Sequence, residues 1–555
     1  MEHTDPLYRE FLAELDALER FRASYSALRP DAELQIDDPD VRRLIEALAL
    51  FSARTRMAAC RNLDQSLRRI FEQHFSYLCD PMPTMALLQV QPSGRLADVA
   101  WLDAGARVSA QVPQAEVGEA AIGSGDAQDV AFCTAADLRV LPIALRQAVV
   151  FPRLAGGFRL ALRFESACFR NDAIGELNLY VHHLGDVFSS LRLLAALRLH
   201  LQGAGVLFDK ASPEEAGDPV QVYFGTPHAW EEALFGFDHP VARLRAAFHF
   251  PQQAAYLNVV VEQQPRNWQA FTLYFDLAPG FVSDSQVTTG TFVLHTVPMS
   301  NLARGFADAV QEDGTKEQHP LFHPDRQAGF EFHSLRGAYR IGDDVLLPLQ
   351  PGVLGEAEPS YELRCEQRGA DRVAYLCAHV ADAFVNPVRL AVDAYWHQPN
   401  HGAPSEGYAL VAPVDRTIDG VDFCTLGPVV GSQNNPAVTG LSSLLQLLSI
   451  KNQRFVGLGE LRLLLKAVGA DAQPYFASLL RGLSQVAVEA KPYGRGSRGF
   501  EYVYSLEYKG LERTELPALD LFSVHVLRLL TLWSIEEIVE LQVCVPNLEV
   551  QRCYA

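Results

Sequence analysis

The chain has little of what marks most catalytic, membrane or secreted classes. Nine cysteines are spread over 555 residues without a Cys-x-x-Cys pair, which argues against a disulfide framework and against a thiolate zinc site. Most are expected to be small packed residues. No apolar run approaches the ~18 residues that span a bilayer, and the most apolar C-terminal stretch is broken by His525 and Arg528. The first residues, Met1-Glu2-His3-Thr4-Asp5-Pro6, lack the basic and apolar regions of a signal peptide, so a cytoplasmic location is expected. Basic residues are outnumbered, 47 Lys and Arg against 67 Asp and Glu, for a formal charge of −20. That balance disfavours nucleic acid and anionic membranes as partners, because phosphate contacts need clustered cations. The G-x-S-x-G, H-E-x-x-H and G-x-x-x-x-G-K-[ST] motifs are all missing.

What is present begins with helical periodicity. Leu7, Phe11, Leu15, Leu18, Phe21, Tyr25 and Leu28 recur at three or four residues, which predicts an amphipathic helix of about six turns ending near Pro30. A second helix is announced by Asp38 as N-cap and Pro39 at the first helical position. Its residues Val41, Leu44, Ile45, Leu48 and Phe51 share one face, while Arg42, Arg43 and Glu46 point elsewhere. Leu63, Leu67, Ile70, Phe71, Phe75 and Leu78 mark a third helix, stopped by Asp80-Pro81-Met82-Pro83.

After Pro83 the texture changes to strands. Phe158, Leu160, Leu162 and Phe164 alternate with other residues, as do Leu177, Leu179 and Val181, with Asn171-Asp172 between them; this predicts one sheet with a buried face. Asp186 is placed to cap a helix through Leu201. Further strands are expected at 221–224, 256–261, 271–275 and 291–295, and exposed connections at 113–129 and 203–219. Helices return at 441–450, 458–468, 474–483 and 519–533, with a hairpin formed by 486–489 and 500–508 and a strand at 539–545. The fold class is multidomain α+β, divided as 1–83 helical, 84–290 β-rich α+β, 291–434 β-rich and 435–555 α+β.

Candidate chemistry weighs less than packing. Gly494-Arg495-Gly496-Ser497-Arg498-Gly499 matches G-x-G-x-x-G, but an alternating strand follows it, not a helix N-terminus that could hold a pyrophosphate. It reads as a hairpin turn. His182-His183 end a strand and project to opposite faces, and His319, His323 and His333 lie in a Pro-rich stretch without cysteine. Surface or loop-packing histidines are favoured over a metal site. No catalytic residue, cofactor or metal is assigned.

The segments 37–54 and 80–85 form a fingerprint. The opening 85 or so residues resemble the N-terminus of the TssF family, baseplate wedge proteins of bacterial type VI secretion systems. The family's helix with Asp-Pro-x-Val-x-Arg-Leu-Ile-Glu and a later Ala-Arg is matched by Asp38 to Arg54. Its Pro-x-Pro-Ser-Met exit is matched by Pro81-Met82-Pro83-Thr84-Met85. Later segments resemble it in order: Phe132 to Leu138 with Leu141-Pro142-Ile143, Thr296-Val297-Pro298-Met299-Ser300-Asn301-Leu302, His319 to Ser334, and Leu444 to Asn452. The resemblance implies a non-enzymatic assembly protein. Two copies would join one TssG as a wedge around the VgrG spike, linked to the sheath through TssE and to the membrane complex through TssK. The baseplate would dock at the inner face of the cell envelope without inserting in it. Phe11, Leu15, Leu44, Leu48, Phe51 and Arg54 are the candidate partner-interface residues. A wedge protein of a related contractile particle such as a phage tail, and a cytosolic hydrolase with a histidine and carboxylate site, are the alternatives.

Overall fold

The structure is a computed structural model that describes residues 6–28, 39–111, 129–154, 156–168, 173–209, 215, 217–231, 234–281, 287–326, 329–342, 345–352, 359–368, 371–381, 383–398, 411–414, 418–435, 441–451, 453–492, 500–534 and 539–554. The architecture is multidomain α+β. Two compact units divide the chain, one of residues 1–76 with 439–448, the other of 77–438 with 449–555.

The first unit is helical. Helix α1 runs Pro6–Leu28, the six turns that the periodicity predicts. Helix α2 runs Pro39–Cys79 without the expected break between residues 54 and 63; a kink falls instead at Phe75, at φ −133° and ψ 34°. The reason is local: residues 54–62 contain neither glycine nor proline, and nothing else in that stretch stops a helix. Pro81 ends it, because proline restricts the residue before it and cannot supply an amide. The Asp38 cap lies outside the described residues.

The second unit is built on sheets. A six-stranded antiparallel sheet has the order Val411–Pro413, Arg107–Gln111, Asp129–Thr134, Thr296–Ser300, Met85–Pro92 and Val421–Val430. A five-stranded sheet runs Asp218–Pro219, Leu201–Phe208, Ala270–Leu277, Phe158–Ser166 and Ile143–Pro152, and a four-stranded one runs Gln221–Phe224, Tyr256–Val261, Gly175–Val181 and Phe292–Val293. The alternating runs from Phe158 and Leu177 therefore belong to different sheets, not to one as expected. Each run pairs with strands remote in sequence, and Leu160, Leu162 and Phe164 meet Leu177, Leu179 and Val181 through a common apolar core. Burial of both runs is satisfied across that core and not along a shared ladder.

Segment 203–219 also departs from expectation, since it carries the strands Leu201–Phe208 and Asp218–Pro219. Gly205 sits opposite Tyr274, and a Cβ there would lie 2.4 Å from the tyrosine oxygen. The glycine admits a buried ring and does not mark a loop. At 291–295 the expected strand is a 3₁₀ turn Thr289–Thr291 and a short strand Phe292–Val293. His295, at φ 53°, separates them from the strand Thr296–Ser300.

A second apolar core, with Phe332, Ala338, Leu390, Val392 and Trp396, lies between residues 307 and 396. At the C-terminal end Leu483–Pro492 and Phe500–Tyr508 form the expected antiparallel pair; their turn, with Gly494–Gly499, lies outside the described residues. Phe500–Tyr508 pairs in parallel with Val539–Val545, and the intervening helix Leu516–Trp533 is the crossover such a pair requires. With the turn Arg513–Glu515 that helix is long and apolar enough to cross a membrane. Here Leu519, Phe522, Val526, Leu529 and Trp533 are buried within the unit. The helix Val187–His200 starts at Asp186 as predicted, the carboxylate accepting the Ser189 amide at 2.7 Å.

A candidate protein interface on the N-terminal helices

Helices α1 and α2 meet through charged and polar residues. On α2, Ala49 and Ala53 are fully buried. Glu14 of α1 accepts hydrogen bonds from Arg56 at 2.8 Å and Ser52 at 2.9 Å, and Glu10 lies 4.0 Å from the same arginine. The bonds from Arg56 and then Ser52 hold the Glu14 carboxyl below its ordinary range, and Glu14 raises Arg56 in turn. Beside these contacts a groove of about 470 Å³ opens between the helices, lined by Leu7, Tyr8, Phe11, Arg43, Glu46, Ala47 and Leu50.

The structure separates the six candidate interface residues. Phe11 lines the groove and Leu15 is half-buried. At 100° per residue Leu44, Leu48 and Phe51 fall on the side of α2 opposite Glu46, Leu50 and Ala53. They stand in solvent, with Leu44 70% and Phe51 71% exposed. Arg54 is exposed on an intermediate face. The apolar stripe that periodicity singles out is thus not the one that joins α2 to α1. Exposed apolar side chains continue along both helices, with Leu12, Phe21, Tyr25 and Leu28 on α1 and Leu63 and Ile70 on α2. Surfaces of this extent mark protein contacts in soluble proteins. Sequence reading missed Glu14, Ala49 and Ala53; their signal is only that small or polar residues fall opposite the apolar stripe.

A second arrangement involves the exit from α2. The chain from Tyr77 to Thr84 is a strap with buried Leu78, Pro81, Met82, Pro83 and Thr84, and its backbone groups are met by side chains from far along the sequence. Arg245 donates to the Tyr77 carbonyl, and the Tyr77 ring stacks on His239 at 3.6 Å. Asn435 donates to Leu78 O at 2.8 Å and to Ala467 O at 2.7 Å. His333 Nε2 lies 2.7 Å from Pro81 O, and His249 Nε2 lies 3.2 Å from Pro83 O. Carbonyls only accept, so each histidine carries its proton on Nε2. Met82 exchanges two backbone bonds with Gln433, at 2.8 and 2.9 Å. Asn301 accepts the Thr84 amide at 2.9 Å and donates to Gln398 O at 3.0 Å. Burial pushes the His249 imidazole down to about 4.

The other histidines are dispersed. His319 pairs with Glu312 at 2.8 Å, while His323 packs on Phe330 and Trp396. His183 is buried, His182 is half-buried, and burial lowers both. Among the described residues no group of three or more His, Cys, Asp or Glu is arranged to hold a metal ion.

A β-rich body with two apolar cores, preceded by helices whose apolar faces stand in solvent, is the construction of a subunit in a larger assembly. Comparison with known proteins gives the family. The TssF family of the type VI secretion system matches residues 8–345, and the chain belongs to it. It is 24% identical over 367 residues to the type VI secretion system component TssF1 of Pseudomonas aeruginosa strain PAO1. That match covers 57% of this chain, and the chain spans about half, 53%, of the curated relative. Its fold is similar to a chain of the TssK–TssF–TssG baseplate subcomplex seen by cryo-electron microscopy. There the TM-score is 0.73 at 15% identity, over 93% of this chain and 98% of that one. A chain of the type VI secretion baseplate complex gives 0.61 at 15% identity, over 99% and 98%. At that identity the two likenesses establish a shared fold.

Proposed function

We propose that this chain is a structural wedge component of a type VI secretion baseplate and performs no covalent chemistry. The observation that carries the reading is the family match, which starts at residue 8 and so takes in α1, α2 and the strap. The full-length likeness to a chain of a TssK–TssF–TssG subcomplex supports it. Two copies join one TssG, with TssK, TssE and the VgrG spike as further neighbours, at the cytoplasmic side of the cell envelope. The exposed apolar face of α2 with Leu44, Leu48 and Phe51, together with the groove at Phe11 and with Leu15 and Arg54, forms the contact with TssG and the second copy. Burying several large apolar side chains, each worth ~1.5–3 kcal/mol, is enough to drive such an association. Differential contacts in the closed and open baseplate would then bias the wedge between its two states.

The test is co-expression with the TssG and TssK of the same organism, with an affinity tag on TssG. Retention of this chain through a high-salt wash is the expected result, since an apolar contact resists screening. Recovery of the chain entirely in the unbound fraction would overturn the proposal.

A further inference from the structure

We propose that the Tyr77–Thr84 strap is a coupling device: engagement of a partner on α2 is passed through the strap to the helix Pro240–His249 and the strand Glu331–Ile341. The inference rests on the wedge reading above for the identity of the partner. Its structural ground is independent of that reading.

Helix α2 leads into the strap across a kink at Phe75 and ends at Cys79. Pro81 and Pro83 have no amide hydrogen, so the strap cannot continue the helix or form a regular ladder of its own. Its buried carbonyls therefore depend on remote donors. Arg245 and His249 come from one helix, His333 from a strand about 250 residues on in sequence, at |i−j| 252 from Pro81. Asn301 and Asn435 meet the strap nearby and are themselves tied on, to Gln398 and Ala467. A displaced strap breaks several of these bonds at once, a penalty that favours all-bonded or all-released states over intermediate ones. Energetic coupling needs an element with two discrete arrangements, and all-or-none release would give the strap these two. Arg245, His249, Asn301, His333 and Asn435 act in it as positioning residues.

Hydrogen exchange with mass spectrometry on the full chain, alone and in complex with TssG, tests this. In the free chain the Met82 and Thr84 amides are expected to exchange as slowly as the core strand Met85–Pro92. TssG binding is expected to change exchange at 77–84 and at 331–341 by about tenfold or more. In the double variant Asn301→Ala and Asn435→Ala the complex is expected to form, judged by light scattering, while the change at 331–341 is lost. A single variant, Asn301→Ser, serves the same comparison if the double variant does not fold. A complex that forms with no change at 77–84 or 331–341 overturns the coupling and leaves the wedge reading standing. Absence of the complex with the wild-type chain instead overturns the wedge reading.

Discussion

The helices α1 and α2 and the β-rich body carry equally regular apolar patterns, yet they use them in opposite ways. In the body Leu160, Leu162, Phe164, Leu177, Leu179 and Val181 disappear into one core. In α2 Leu44, Leu48 and Phe51 obey an equally regular pattern and remain in solvent. Periodicity reports that a face will be covered; whether the chain itself or another molecule covers it is decided by what packs elsewhere. Here the Glu14 cluster takes the contact between the helices.

The largest effect that would break this comparison is in the body. Replacing the fully buried Phe164 by alanine is expected to cost ~3–5 kcal/mol in urea unfolding, whereas the same change at exposed Phe51 should stay within about 0.5 kcal/mol. Equal losses would mean that Phe51 is covered in the free chain. For assembly the order inverts. Leu48→Asp and Phe51→Asp are expected to abolish the TssG complex while circular dichroism of the variants stays that of the wild type, and a folded variant that keeps the complex would remove α2 from the interface.

Acid sharpens the contrast next. Burial holds His249 at about 4 and His295 and His525 at about 3 in the fold, against about 6.5 in an unfolded chain. The unfolded state therefore binds protons first as pH falls, so stability is full above about 6.5 and is lost between there and the folded values, by on the order of 3 kcal/mol for each group. Glu14 is shifted down, so its contribution to the α1–α2 contact persists through that window and is lost only as pH falls below the usual carboxylate range. Thermal unfolding followed from pH 7 to 4.5 should show body strands melting earlier at each step, with far less change in the α1–α2 contact. The smallest effect is ionic: Arg56→Ala removes an exposed pair and is expected to lower the melting temperature only slightly, less so at high salt.

Much of the local structure was legible in the sequence. The strands at 221–224, 256–261 and 539–545 and the Asp186 cap follow from alternation and a single side chain, both local properties. Sheet membership was not, because it depends on ladders such as Leu87 with Leu426 that no short window contains. The split of α2 between residues 54 and 63 does not occur because that stretch holds no helix breaker, and two apolar stripes on one helix read as two helices. Of the candidate interface, the stripe Leu44, Leu48 and Phe51 was visible and its exposure was not. The strap was recognised as a motif, but its holders Arg245, Asn301, His333 and Asn435 are separated from it by more than 160 residues and only the fold brings them together.

The central claim is that these helices are covered only in an assembly, and light scattering coupled to size exclusion tests it most directly. Co-expressed with TssG, a chain of 61.3 kDa is predicted to elute with a mass that fits two copies of it and one TssG. A monodisperse single chain, eluting apart from TssG at its own mass, would contradict the account.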